Sequence, residues 1–173
     1  WSLHSGDPLQ LTIATDPRFT APDYGNDHIW ELDINGGDPS AVALRTTFGL
    51  RARLLRIFPR FTENGKSIND PAKFASPPTI RSFFPNFISV TFSPYEDVDV
   101  IAEYWVAASQ VATGRIIIAN RSNIQHPIRF ELVGHLVPLE GQNMTINQRQ
   151  SVTTLEGQVE DLRPILFLTG GPQ

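Results

Sequence analysis

Residues 84–139 decide the fold class, and they read FPNFISVTFSPYEDVDVIAEYWVAASQVATGRIIIANRSNIQHPIRFELVGHLVPL. Four runs in this stretch have the composition of β-strands, at 88–92, 98–107, 115–119 and 128–137. In the second run Val98, Val100, Ala102, Tyr104 and Val106 alternate with more polar residues. Because successive side chains of a strand point to opposite faces, this alternation predicts a sheet with one better-buried face.

Turn residues separate these runs, at Ser93-Pro94, Thr113-Gly114, Asn120 to Asn123 and His126-Pro127. Proline and glycine do not easily continue a central strand, so these positions are predicted to be turns or strand starts. Four strands in such close succession predict an antiparallel sheet in a meander or Greek-key arrangement.

The rest of the chain adds further strands at 9–13, 28–34, 144–155 and 164–169. For residues 41–58 we favour one strand, a turn or bulge near Gly49, and a second strand that ends at Phe58. A helix over 50–58 is the alternative. Thr62 to Pro78 is predicted to be a long polar loop, and such loops are usually functional or mobile. The whole pattern predicts an all-β fold, a two-layer antiparallel β-sandwich with little or no helix, formed by one domain over residues 1–173.

Composition excludes several kinds of partner. The net charge is -4 and the basic residues are scattered, whereas nucleic-acid binding needs clustered cations. No apolar run approaches the ~18 residues that span a bilayer.

Cysteine is absent, which excludes disulfides, thiolate catalysis and cysteine-ligated zinc. We expect a soluble chain, with the cytoplasm favoured, although the composition leaves the compartment open.

Candidate catalytic and metal-binding groups are sparse, so we predict no catalytic residue, metal or cofactor. The four histidines are far apart and form no metal-binding spacing. Glu96, Asp97, Asp99 and Glu103 cluster around one strand, and glycoside hydrolysis needs two carboxyl groups. The favoured interpretation is a solvated strand entry. Motifs for a serine nucleophile or a phosphate-binding loop are absent.

Aromatic residues provide the only candidates for ligand binding. Trp105, Tyr95 and Tyr24 could stack on sugar rings, because an aromatic face matches the C–H face of a pyranose. Tyr104 and Trp105 point to opposite sides of their strand, so at least one of them is expected in the core. Core or interface packing is the favoured role for this set as a whole.

Several stretches together resemble a known domain type. They are residues 39–51 (PSAVALRTTFGLR), 57–61 (IFPRF), 84–87 (FPNF), 103–106 (EYWV), 118–122 (IANRS) and 167–171 (FLTGG). The pattern resembles the N-terminal β-sandwich, or supersandwich, domain that precedes the (α/α)6 barrel of large glycoside hydrolases of the glucoamylase, debranching and processing-glucosidase type. The strand that ends in Asn-Arg-Ser122, followed by Arg129-Phe-Glu-Leu132, is the most suggestive part.

The resemblance implies a function for the chain as part of a larger enzyme. In that family the acid and base carboxylates lie on loops of the barrel, so this chain would be an N-terminal fragment without catalytic residues. Its partner would be the downstream catalytic domain of the same chain, which would act on α-glucosidic bonds. The loop at 62–78 would be the candidate for contact with the barrel or the sugar site. A carbohydrate-binding module and a protein-interaction sandwich unrelated to sugars are the alternatives.

Overall fold

The computed structural model describes residues 6–13, 29–47, 52–108, 111–138, 144–149, 152–157 and 165–169. Within these ranges the chain is almost entirely β-strand, and the one helical element is a short 3-10 helix at Pro71–Lys73. The predicted all-β fold is therefore confirmed. The turn or bulge predicted near Gly49 lies outside the described residues.

The described residues form thirteen strands. They are β1 (Leu9–Ile13), β2 (Ile29–Gly36), β3 (Ala41–Thr47), β4 (Ala52–Glu63), β5 (Lys66–Ile68), β6 (Ser76–Phe84), β7 (Phe87–Tyr95), β8 (Val98–Ala108), β9 (Val111–Asn120), β10 (Ile128–Pro138), β11 (Met144–Arg149), β12 (Val152–Gly157) and β13 (Ile165–Thr169). The two strands favoured within 41–58 are confirmed as β3 and β4, and the alternative of a helix there is wrong.

The strands form three antiparallel sheets. Sheet A has the order β1-β2-β3-β4-β10, with β5 paired to β4 at one end. Sheet B is a meander of β6, β7, β8 and β9, and sheet C is a meander of β11, β12 and β13. Sheets A and B pack face to face, which confirms the two-layer sandwich. The four runs of the central stretch therefore divide between the layers, because β7, β8 and β9 stay in sheet B whereas β10 joins sheet A.

The core lies between sheets A and B, and the alternation of the strands generates it. In β8 the residues Val98, Val100, Ala102, Tyr104 and Val106 are buried, as the sequence predicts, and the residues between them are only partly buried. Phe61 of β4 and Phe92 of β7 join the two layers, with ring centroids 6.0 Å apart at 71°. Edge-on contacts of this kind add to the apolar area that both rings bury.

Strand β4 extends beyond its predicted end at Phe58 and passes through Pro59. On one side of β4, β3 pairs only as far as Ile57 and β5 begins to pair at Phe61. Pro59 therefore lies in a gap between two partners, where a residue without an N–H is tolerated within a strand. The predicted strand end at Phe58 was wrong, because the gap depends on where β3 and β5 pair with β4.

The long loop predicted at 62–78 is also wrong, because a hairpin and a helical turn replace it. Asn64 and Gly65 have φ angles of 48° and 77°, as the two central residues of a tight hairpin turn require. This turn joins β4 to β5. Asp70 then caps the 3-10 helix by accepting a hydrogen bond from the N–H of Ala72, and β6 begins at Ser76. The Asn-Gly pair was the signal that could have predicted the hairpin.

Two of the predicted breaks lie inside strands. Ser93-Pro94 is part of β7, at a register irregularity between Phe92 and Tyr95, and the turn into β8 follows it. Gly114 lies within β9 opposite Tyr104, where an added Cβ would come within 2.9 Å of the buried tyrosine ring. The glycine is needed for this close approach. The breaks at 120–123 and 126–127 are confirmed, because β9 ends at Asn120 and β10 begins at Ile128.

Substitution of Phe61 by alanine tests the role of this ring in joining the layers. Its side chain is fully buried and contacts the rings of Phe92 and Phe130. Removal of a buried phenylalanine leaves a cavity, so we expect Phe61→Ala to lower the free energy of unfolding by about 3–5 kcal/mol in urea titrations. Ile124→Ala is the control, because Ile124 is 71% exposed and should change stability by less than about 0.5 kcal/mol. Equal effects of the two variants would contradict the role given to Phe61.

Candidate functional site

Sheet B has one face against the core, and its other face carries the candidate site. Val100, Ala102 and Tyr104 point to the core, so Glu103 and Trp105 point to the opposite side. We call this side the open face. Tyr104 is the core member of the Tyr104–Trp105 pair, as expected, and burial raises the pKa of its phenol.

Three aromatic residues lie side by side across the open face. Phe84 pairs directly with Phe87, and Phe87 pairs directly with Trp105, so the three side chains form one row on adjacent strands. Phe84 is 58% exposed, and the other two are partly buried. The rings of Phe84 and Phe87 lie 6.3 Å apart with a tilt of 39°. We call Phe84, Phe87 and Trp105 the aromatic row.

An ion pair occupies the next row of the open face, two residues along each strand. Arg115 donates two hydrogen bonds to Oε2 of Glu103, from Nη2 at 2.6 Å and from Nε at 2.9 Å. The Arg115 side chain is 63% exposed. Arg115 and Glu103 are direct partners in the pairing of β8 with β9, so the sheet register holds this ion pair in place.

Asp99 lies further along the open face. It shares this face with Glu103, as the alternation of residues in β8 predicts. Its Oδ1 accepts a hydrogen bond from Ser93 Oγ at 2.7 Å, and its Oδ2 lies 2.9 Å from Nε of Arg121. Both oxygens of Asp99 therefore have partners on the same surface, and Oε2 of Glu103 is held by Arg115. The two carboxylates are arranged as hydrogen-bonding groups of a surface.

A groove of ≈ 380 Å³ runs along the polar end of the open face. Its lining includes Thr79, Arg81, Thr91, Ile101, Ile117 and Arg121. Arg81 stands at a register irregularity of β6, between Ile80 and Ser82. Within the described part of the chain Arg81 has no ion-pair partner, so its guanidinium is available to a ligand in the groove.

Of the three aromatic candidates from the sequence, Trp105 lies on the open face. Tyr95 ties β7 to the β4–β5 hairpin, since its hydroxyl lies 2.8 Å from the carbonyl oxygen of Lys66 and 3.1 Å from that of Phe61. Its ring packs against the core, and burial raises the pKa of its phenol. Tyr24 lies outside the described residues. Sequence reasoning missed Phe84 and Phe87, although their position on either side of the Pro85-Asn86 turn was a usable signal.

Sequence reasoning also missed a serine, histidine and glutamate cluster at the β9–β10 loop. His126 places Nδ1 2.7 Å from Oε1 of Glu63 and Nε2 3.2 Å from Oγ of Ser122. These contacts follow the order of a hydrolase triad. However, Ser122 Oγ also accepts the N–H of Ile124 and lies 3.0 Å from Oδ1 of Asn120, so it belongs to the turn itself.

The cluster holds the loop in place. Asn120 Oδ1 accepts the N–H of Ser122 at 2.9 Å, which confirms the expected turn role of the Asn-Arg-Ser segment. The hydrogen bond between Glu63 and His126 then fastens the loop to the end of β4. Ser122 and His126 line neither the groove of the open face nor the groove around Asp38 and Asp70. A nucleophile needs a place for its substrate, so we interpret the cluster as structural.

The outer face of sheet A carries a second group of charges, which are largely buried. Arg45 lies 2.8 Å from Glu31 and 3.3 Å from Asp33. Arg56 is 2% exposed and donates hydrogen bonds to the carbonyl oxygens of Pro39 and Gly36, so it holds the turn between β2 and β3. Burial lowers the pKa of Arg56, and a phenylalanine ring, Phe58, lies 5.0 Å from its guanidinium carbon.

His135 is half-buried and lies opposite Arg56 on the same face. It packs edge-on against Phe58, with ring centroids 5.3 Å apart. Among the residues that the structure describes, no three histidine, aspartate or glutamate side chains gather in a way that could hold a metal ion. In the same residues no helix has the length and apolar character needed to cross a membrane.

Comparison with known proteins found no relative of this chain. No family model matches the chain, and no curated protein or solved structure matches it. The function is therefore inferred from the fold, the site and the resemblance of the sequence pattern.

Asp33 and Asp70 provide a test of the electrostatics, because their pKa values shift in opposite directions. Burial raises the pKa of Asp33, against the attraction of Arg45. Burial would also raise the pKa of Asp70, but hydrogen bonds from Lys73 and the N–H of Ala72 lower it overall. A raised pKa stabilises the folded state at low pH, and this contribution is lost as the pH rises through the folded-state pKa. A lowered pKa stabilises the folded state at higher pH, and this contribution is lost as the pH falls through the folded-state pKa.

We therefore expect Asp33→Asn to gain stability relative to the parent chain as the pH rises from about 3 to about 7. Over the same range Asp70→Asn should lose stability relative to the parent. The free energy of unfolding of all three chains, measured in urea at several pH values, checks both signs. Shifts of the two variants in the same direction would contradict this assignment.

Proposed function

We propose that the chain is a non-catalytic β-sandwich domain of a larger glycoside hydrolase, where it packs against a downstream (α/α)6 catalytic domain. The resemblance of the sequence pattern supports the type of enzyme. One structural observation supports the packing role: core-facing apolar side chains remain exposed on edge strands of both layers.

In sheet A the exposed residues lie on β10, the edge strand next to β4. Phe130 and Leu132 lie directly opposite Phe61 and Pro59, which are both buried, so all four side chains share the core face. Phe130 is nevertheless 36% exposed and Leu132 43% exposed. The apolar face of sheet A therefore continues past the area that sheet B covers.

Sheet B shows the same feature on its own edge strand, β9. Ile118 lies opposite the fully buried Val100 and so faces the core side, yet it is 38% exposed. Residues 121–127 join β9 to β10. We call Ile118, Phe130 and Leu132 the open seam. An apolar strip at a sheet edge is usually covered by another element or domain, because its exposure favours association.

The ion-paired carboxylates support the non-catalytic part of the proposal. Asp99 and Glu103 each contact a neighbouring arginine, and both oxygens of Asp99 already have partners, so neither carboxylate is free to face a substrate. A protein-interaction sandwich unrelated to sugars would use the same open seam with a different partner. The identity of the covering domain distinguishes the two.

A charge placed on the open seam tests the packing role. In a protein that carries this chain together with its catalytic domain, Leu132→Asp should uncouple the two domains, because burial of an unpaired carboxylate at their interface is unfavourable. Calorimetry should then show two unfolding transitions in place of one coupled transition.

Val137→Asp is the matched control, since Val137 is 41% exposed on the same strand and lies five residues from Leu132, on the opposite face. It should leave the coupled transition intact. Equal effects of the two substitutions would contradict the seam as the interface, and a parent protein without a helical catalytic domain would contradict the type of enzyme.

The non-catalytic role has its own test. The purified 173-residue chain should show no turnover of α-glucosidic substrates above background, because the catalytic acid and base would lie on the downstream barrel. Turnover at rates typical of enzymes, about 1 s⁻¹ or higher, would show that the role assigned here is wrong.

A further inference from the structure

We propose that the open face of sheet B binds an oligosaccharide, with the aromatic row as its stacking platform. This function goes beyond the packing role and does not rest on it. The open seam consists of core-facing side chains at the edges of the two sheets, whereas the aromatic row points away from the core. The two surfaces can therefore be tested independently.

The pairing register of sheet B places the three aromatic residues of the platform side by side. Phe84, Phe87 and Trp105 stand on three adjacent strands, and neighbouring strands lie about 4.8 Å apart, so the row extends about 10 Å across the sheet. The faces of aromatic rings carry partial negative charge, which attracts the weakly positive C–H groups on the face of a sugar ring. Phe84 is the most exposed of the three and offers the most accessible ring.

Polar groups lie beside the aromatic row on the open face. Glu103 and Arg115 lie two residues from Trp105 and its partner Thr113, which is about 7 Å along the strands. Arg115 uses Nε and Nη2 for Glu103, which leaves further N–H groups of its exposed guanidinium free to donate. Hydrogen bonds between charged groups and hydroxyls are stronger than neutral ones, so this pair can orient a sugar that stacks on the aromatic row.

The groove extends the site beyond the ion pair. Trp105 and Asp99 are six residues apart on β8, which gives the face a length of about 20 Å. At the polar end Thr79, Thr91 and Arg81 present hydroxyl and guanidinium groups around the groove. A ligand of several linked sugars can therefore meet apolar and polar groups in alternation along its length.

The charges on the open face favour a saccharide over a protein partner. A protein interface would bury the ion pairs of Glu103 with Arg115 and of Asp99 with Arg121, and the loss of their hydration is unfavourable. The central part of protein interfaces is accordingly depleted in charged residues. Sugar hydroxyls can replace the lost water, because they donate and accept hydrogen bonds.

The tilt of the rings indicates the shape of the sugar chain. The rings of Phe84 and Phe87 are inclined to each other by 39°. A flat, ribbon-like glycan needs coplanar rings, whereas a chain whose sugar units turn relative to one another fits inclined rings. The geometry therefore favours a curved, α-linked glucan.

Calorimetric titration of the 173-residue chain with maltoheptaose tests the site, with cellohexaose as the flat counterpart. We expect maltoheptaose to bind with a Kd of about 1 mM or lower, and cellohexaose to bind more weakly. If neither sugar binds, the site is wrong. Tighter binding of cellohexaose would overturn the assignment of a curved chain. Either failure leaves the packing role at the open seam unaffected.

Two neighbouring phenylalanines provide matched variants. Phe84→Ala should weaken maltoheptaose binding about fivefold or more, since it removes an exposed ring of the platform. Phe83→Ala should leave binding unchanged, because Phe83 is 49% exposed but lies opposite the buried Ile88, on the other face of the sheet. Trp105→Ala should abolish binding, and near-ultraviolet circular dichroism checks that each variant is folded. Equal binding by the Phe83 and Phe84 variants would overturn the proposal.

Discussion

The pairing of β4 with β10 is the contact on which the rest of the structure depends. These strands come from distant parts of the sequence, and all of sheet B lies between them in the chain. Strand β4 also pairs with β3 and β5, and it carries Phe61, whose ring reaches Phe92 of the other layer. The return of β10 to β4 therefore joins the two sheets around one core. It also makes β10 an edge strand of sheet A, and β9 is an edge strand of sheet B.

Both proposed surfaces follow from this arrangement. A sandwich of two sheets covers one face of sheet B and leaves the other available, so the aromatic row and its ion pairs can take a ligand there. The edges of the two layers do not cover each other completely, so Ile118, Phe130 and Leu132 remain partly exposed although they face the core. The same sandwich can thus rest against a larger neighbour at its edge and contact a sugar chain on its open face.

Most ionisable groups of the described residues have structural partners. Arg56 holds the turn between β2 and β3 through backbone carbonyls, and the His126–Glu63 pair fastens the β9–β10 loop to β4. The Ser122, His126 and Glu63 contacts follow the order of a catalytic triad, yet the serine oxygen is held within its own turn. The order of hydrogen bonds in such a cluster is thus insufficient to identify a nucleophile, because catalysis also requires space for the substrate.

Alternation of apolar and polar residues was sufficient to predict the all-β class and the faces of β8, including the side on which Asp99, Glu103 and Trp105 lie. This succeeds because the two-residue period of a strand is a local property of the backbone. The strand through Pro59, the glycine opposite Tyr104 and the pairing of Phe87 with Trp105 were decided by tertiary structure. Each depends on which strand lies beside which and in what register, and a period of two residues contains no information about the partner strand.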